Sequence, residues 1–139
     1  MQKKINIINN SEFKRLPIKS IKATINNVFA GEEINQFEVN VIYVDSDFIT
    51  DMNIKYLNHT GDTDVITFPL NDEDEDLFGE IYICVNVAIR QADEYKVSLL
   101  NELNRLAAHG ALHLCGYDDN TTKLRNKMSE LETKYINCI

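Results

Sequence analysis

The sequence predicts an α+β protein, folded as a single compact domain over residues 1–139, with a small mixed β-sheet packed by helices. Two observations carry this. Segments with strand character come early in the chain and helical patterns come late. A chain of 139 residues has the size of one domain and is long enough to bury a core. The apolar fraction of 44%, the charged fraction of 26% and the scarcity of Pro and Gly, at 2 and 5 residues, fit an ordinary globular protein and argue against extensive disorder.

Lys4–Asn9 reads as a short isoleucine-rich strand. From Pro17 to Ala30, Ile18, Ile21, Ile25, Val28 and Phe29 recur at helical spacing, with Pro17 tolerated at the start and Gly31 as a stop. Phe37–Val44 alternates as a strand does, and Asp45 or Ser46 can cap a helix running through Leu57. Val65–Phe68 is a short strand. Gly79–Val87 is the strongest strand pattern, with Ile81, Ile83, Val85 and Val87 on one face, and a helix is expected over Val87–Tyr95. Ser98 can cap the next helix, which carries Leu99, Leu100, Leu103, Leu106 and Ala107 and ends near Cys115, before Gly116. A last helix, about Thr121 to Ile136, shows a stripe of Leu124, Met128, Leu131 and Tyr135.

No apolar run approaches the ~20 residues of a membrane-spanning helix. The first residues are too polar for a signal peptide, so the expectation is a cytoplasmic protein without a membrane partner. Cys84, Cys115 and Cys138 are odd in number, follow no zinc-ribbon spacing and read as reduced thiols. The net charge of −8 argues against a protein coated in nucleic acid, and no DNA partner is expected. The charge is polarised, however. Residues 1–22 hold Lys3, Lys4, Lys14, Arg15, Lys19 and Lys22 against one acid, Glu12, whereas residues 72–76 are five consecutive acids. The basic part can face an anion or simply line a solvated helix face.

The segment that carries chemistry is His109–Asp119. His109 and His113 lie four apart on an expected helix, so both imidazoles share one face. Gly116 lets the chain leave the helix and turn back, and Asp119 follows three residues later, where a third ligand is needed. The form H-x-x-x-H-x-x-G-x-x-D has the spacing of a class of zinc proteases. Gly110 stands where those proteases keep their general base, so ordinary zinc proteolysis is poorly supported. One zinc ion, or another divalent metal, on His109, His113 and Asp119 is the expectation, with Asp118 as the alternative acid. Cys115 should project to a different face and reads as a packed thiol. Two partly buried core histidines are the plainer alternative.

The run His109-Gly110-Ala111-Leu112-His113-Leu114-Cys115-Gly116-Tyr117-Asp118 resembles the H-G-x-L-H-L-x-G-Y-D-H signature of the YbeY endoribonucleases, the rRNA maturation factors. Thr63–Pro69 is similar to that family's T-D-V-L-S-F-P, and Gly79-Glu80-Ile81 to its G-D-I. Asn53 and Tyr56 match its preceding helix, and Met128 and Glu132 its closing helix, so the resemblance spans roughly residues 39–132. Two positions depart from the pattern: Asp119 replaces a third histidine, and Leu57 stands where the family usually has an arginine after the helix tyrosine. Loss of that guanidinium removes a natural clamp for a phosphodiester transition state. His59 can substitute as a phosphate contact or acid–base group, or be a solvated loop histidine.

The resemblance implies a compact α+β fold and a zinc-like ion in a cleft. It also implies hydrolysis of single-stranded RNA, in 16S rRNA 3′-end maturation and ribosome quality control, with the rRNA precursor and the ribosome as partners. His59 and Asp118 are the candidate acid–base groups, and Asn53, Thr63 and Asp64 the candidate substrate contacts, although Asp64 could equally cap a turn. A non-catalytic ribosome-assembly factor with a structural zinc ion is the rival reading.

Overall fold

The computed structural model describes residues 3–58 and 60–136. The elements are β1 (Lys3–Asn9), α1 (Ile18–Gly31), β2 (Phe37–Val44), α2 (Ser46–Leu57), β3 (Val65–Pro69), β4 (Leu77–Cys84), α3 (Val85–Tyr95), α4 (Leu99–Leu114) and α5 (Thr122–Ile136). The α+β expectation with a small mixed sheet is met. The strand order is β1-β2-β4-β3. β1, β2 and β4 run parallel, while β3 pairs antiparallel with β4 as an edge strand.

Period-two alternation divides the sheet's apolar residues between two layers. Val39, Val41, Tyr43, Ile81 and Ile83 point into the main core, where α1, α4 and α5 bring Ile25, Phe29, Leu106, Leu112, Met128 and Tyr135. Ile42, Val44, Ile66 and Cys84 point the other way, under Ile49 and Met52 of α2. Full burial of a Leu or Ile side chain stabilises by about 1.5–3 kcal/mol, so this two-sided sheet holds α4 firmly in the middle of the molecule. Gly110 lets α4 seat closely, because a Cβ at that position would lie 2.6 Å from Ile81 Cγ2 on β4.

Two expectations need correction, at the end of β4 and on the stripe of α5. β4 stops at Cys84, and Val85 and Val87 belong to α3. Val85, Ala88 and Ala92 are buried at helical spacing, and the β-branched Val85 and Val87 satisfy a strand pattern equally well by composition. α1 does stop at Gly31, as expected, and the left-handed residue beyond it is Glu33, at φ 62°. On α5, Leu124 is 37% exposed, and the buried set is Met128, Leu131, Glu132 and Tyr135.

Caps follow the local chemistry. Ser98 Oγ accepts from the Asn101 amide at 3.0 Å and starts α4 as expected. Asp45 occupies the N-cap position of α2, but its carboxylate accepts from the Glu12 amide at 3.1 Å and caps nothing. The Ser46 hydroxyl is likewise diverted, to Asp62. Among the described residues, no helix is long and apolar enough to cross a membrane.

Candidate metal centre

α4 presents His109 and His113 on one face, four residues apart, with side chains 16% and 22% exposed. The helix then ends in a Schellman turn. The Tyr117 amide donates to Leu112 O at 3.1 Å and the Gly116 amide to His113 O at 3.0 Å, with Gly116 at φ +104°. That left-handed residue folds the chain back over the histidines. Asp119 thereby reaches them from the loop.

The ligand atoms converge. His113 Nε2 lies 3.0 Å from His109 Nε2. Asp119 Oδ2 lies 3.4 Å from His109 Nε2 and 3.7 Å from His113 Nε2. Bonds of about 2.0–2.1 Å arranged tetrahedrally place ligand atoms about 3.4 Å apart, so the three separations bracket those of a zinc site. The donor set, two imidazole nitrogens and one carboxylate oxygen, suits a divalent ion of intermediate hardness. These residues fit a metal ion, and three ligands leave a fourth position for water or substrate. Asp119 is 42% exposed, so the group is open to solvent on the side of that residue.

The loop is pinned from outside. The Tyr117 hydroxyl donates to Glu32 Oε1 at 2.6 Å, and the Tyr135 hydroxyl donates to the other oxygen of the same carboxylate. Arg125 Nη1 donates to Asp119 O at 3.3 Å. Cys115 takes no part in the ligand group. It is half-buried, and burial pushes its thiol up to about 12.

Behind His109 lies a chain of charges. Its Nδ1 is 2.6 Å from Glu132 Oε2. Arg105 Nη1 donates to Glu132 Oε1 at 3.2 Å, and Arg105 Nε and Nη2 donate to Glu102 Oε1 and Oε2 at 2.9 and 2.6 Å. Gln91 Nε2 bridges Glu102 Oε2, at 2.7 Å, and Asp64 Oδ2, at 3.3 Å. Glu102 and Glu132 are 0% and 3% exposed. Burial of metal-free His109 disfavours its charged form, but the hydrogen bond and charge of Glu132, with the fields of Asp64 and Asp119, outweigh that and raise its pKa above the usual histidine value.

The other residues singled out by sequence are placed as follows. Asp118 is exposed and lies outside the ligand group. Asp64 Oδ1 accepts from the Val65 amide at 2.8 Å, the local cap that sequence allowed, while its other oxygen joins the charge chain. Thr63 is half-buried beside Asp64. Asn53 is buried, and its amide donates to Gly61 O at 3.1 Å, bracing the loop before β3. Leu57 ends α2 at 43% exposure. His59 lies outside the described residues. Sequence reading assigned no role to Glu102, Arg105 and Glu132. The available signals were a glutamate within the apolar set of α5 and an arginine four residues before His109, on the ligand face of α4.

Comparison with known proteins gives one answer. A family model described as endoribonuclease YbeY matches residues 2–139. The endoribonuclease YbeY of Endomicrobium trichonymphae is 36% identical over 139 residues, covering 100% of this chain and 97% of that protein. That of Chloroherpeton thalassium is 34% identical over 130 residues, covering 94% and 92%. A solution structure of a Thermotoga maritima protein superposes with a TM-score of 0.67 at 33% identity, covering 96% of this chain and 87% of the other. The turn, the paired histidines and these matches over the whole chain agree, and the chain belongs to the endoribonuclease YbeY family.

Proposed function

We propose that this protein is a metal-dependent, single-strand-specific endoribonuclease acting in 16S rRNA 3′-end maturation and ribosome quality control in the cytoplasm. The observation that carries the reading is the convergence of His109 Nε2, His113 Nε2 and Asp119 Oδ2 within a chain of the YbeY family. We take the ion to be zinc. When bound, it would supply Lewis-acid polarisation of a phosphodiester oxygen and of a water.

The chain's own groups do the rest. Gly110 is buried and offers no base, so the proton of an attacking water would pass to Asp118, exposed on the loop, to His59 or to the phosphate itself, or would leave under the field of the ion. Thr63 and Asp64 lie just before β3 and would shape the substrate's path. Asn53 would act through the loop that it braces. The six basic residues of the first 22 are all exposed and are the surface on which we expect the rRNA precursor or the ribosome to rest.

The test is to measure metal content and RNA cleavage together in untagged wild type, His113→Ala and Asp119→Ala. One equivalent of metal and cleavage of a single-stranded rRNA 3′ end, both lost in the variants, is expected. Cleavage retained by metal-free His113→Ala would refute the assignment. Leu57, exposed where the family usually has an arginine, favours the second reading, an assembly factor with a structural zinc ion. One equivalent of metal without cleavage above background would select it.

A further inference from the structure

The buried charges behind His109 are expensive. Taking a carboxylate out of water costs several kcal/mol, and a trio of apolar side chains often packs as stably as a buried ion triad. Glu102 and Glu132 are nevertheless held inside, one on α4 and one on α5, with Arg105 between them. Glu102, Arg105, His109 and His113 fall at successive spacings of three, four and four, so network and ligands share one stripe of α4.

The bonding is directional. Glu102 takes the guanidinium bidentately along its Nε–Nη2 edge, and Nη1 on the other side reaches α5. Nη1 meets one oxygen of Glu132, and His109 Nδ1 meets the other. Each oxygen of Glu132 thus has its own partner, and the carboxylate is fixed from both sides. An ionised carboxylate only accepts, so Nδ1 of His109 must donate. Nε2 is then the nitrogen with a free lone pair, and it is the one that faces His113 Nε2 and Asp119 Oδ2. Gln91 ties the far end of the chain to Asp64 at the start of β3, so three helices and the edge strand share in fixing one imidazole.

We propose that Glu132 is the positioning residue of the metal centre, and that Arg105, clamped by Glu102, aims its carboxylate so that His109 is locked as an Nε2 ligand. The inference rests on the metal-binding part of the reading above and adds the device that sets metal retention. Metal-site residues of this kind typically change affinity about 10–100-fold when removed.

The experiment uses the full chain and zinc alone as the probe. Affinity is measured by competition with a chromophoric chelator for wild type, Glu132→Gln and Arg105→Lys, with Asn104→Ala as a control in the same helix. Zinc binding is expected to weaken about 10–100-fold in Glu132→Gln, and by less in Arg105→Lys, which keeps the charge but loses the fork. Unchanged affinity in a folded Glu132→Gln protein, or an equal loss in Asn104→Ala, would overturn the proposal. Long-range 1H–15N spectra of zinc-loaded wild type need no variant: a protonated Nδ1 on His109 is expected, and coordination through Nδ1 would overturn it. Wild type that takes up no zinc would refute the metal reading itself, a different result from variants that bind zinc as tightly as wild type.

Discussion

α4 carries two polar inserts on its two flanks, and they are built differently. Toward α1, Asn104 is 5% exposed and closes a neutral cluster. It accepts from Thr24 Oγ1 at 2.9 Å and donates to Ser20 Oγ and Leu100 O at 2.9 and 3.0 Å. Toward α5, Glu102, Arg105 and Glu132 form a charged cluster that does not close on itself. Its last bond goes out to His109 at the cleft. The neutral cluster satisfies its own groups and fixes how α1 lies on α4. The charged one costs far more to bury, and it ends on a residue of the candidate metal group. Buried polarity in one helix thus joins α1 to α4 on one flank and reaches the candidate metal group on the other.

The largest effect should come from breaking the charged cluster. Arg105→Met leaves two buried carboxylates without their cation and should destabilise the metal-free protein by about 3–5 kcal/mol in urea unfolding. A loss below about 1 kcal/mol would mean that the carboxylates are not both charged. Asn104→Ala strands the buried Thr24 hydroxyl and should cost about 1–3 kcal/mol, with zinc affinity unchanged. If zinc affinity fell as well, the two flanks would not be separable.

Tyr117→Phe removes one bond to Glu32, should cost about 1 kcal/mol, and should speed zinc release by loosening the loop that carries Asp119. Stopped-flow mixing with excess chelator reads that rate.

A pH titration probes the same clamp. The hydrogen bond to Glu32 raises the Tyr117 pKa, and burial followed by that same carboxylate raises Tyr135. Both folded values stand above the unfolded one of about 10, so this stabilisation is fully present below pH ~10 and is lost as pH climbs through the folded values. Urea midpoints of wild type should fall over that alkaline range, and those of Glu32→Gln should fall less. The smallest effect is expected from the double variant Thr24→Val with Asn104→Leu. It removes both partners of the buried hydrogen bond, and urea midpoints should move little from wild type.

The halves of the site differed in how far sequence could show them. His109, His113, the turn at Gly116 and Asp119 lie within eleven residues; helix periodicity places the two histidines, and the glycine turn brings Asp119 back to them. The Ser98 cap and the strand pattern of β2 were readable for the same local reasons. Glu132 needed α5 to be docked on α4, a contact across 23 residues that no period encodes. The border of β4 and α3 was misread because Val85 and Val87 suit either element until the sheet ends. The clamp of Glu32 on Tyr117 spans 85 residues and left no mark in the local pattern.

The close seat of α4 on β4 also bears on what this scaffold can become. Gly110 occupies the position at which zinc proteases with this histidine spacing carry their glutamate. A point change to glutamate would drive a side chain into Ile81 before it offered any base, since even a Cβ would lie 2.6 Å from that residue. A glutamate there would therefore require Ile81 or the helix to move, whereas Asp119, 42% exposed on the solvent side, meets no such packing limit.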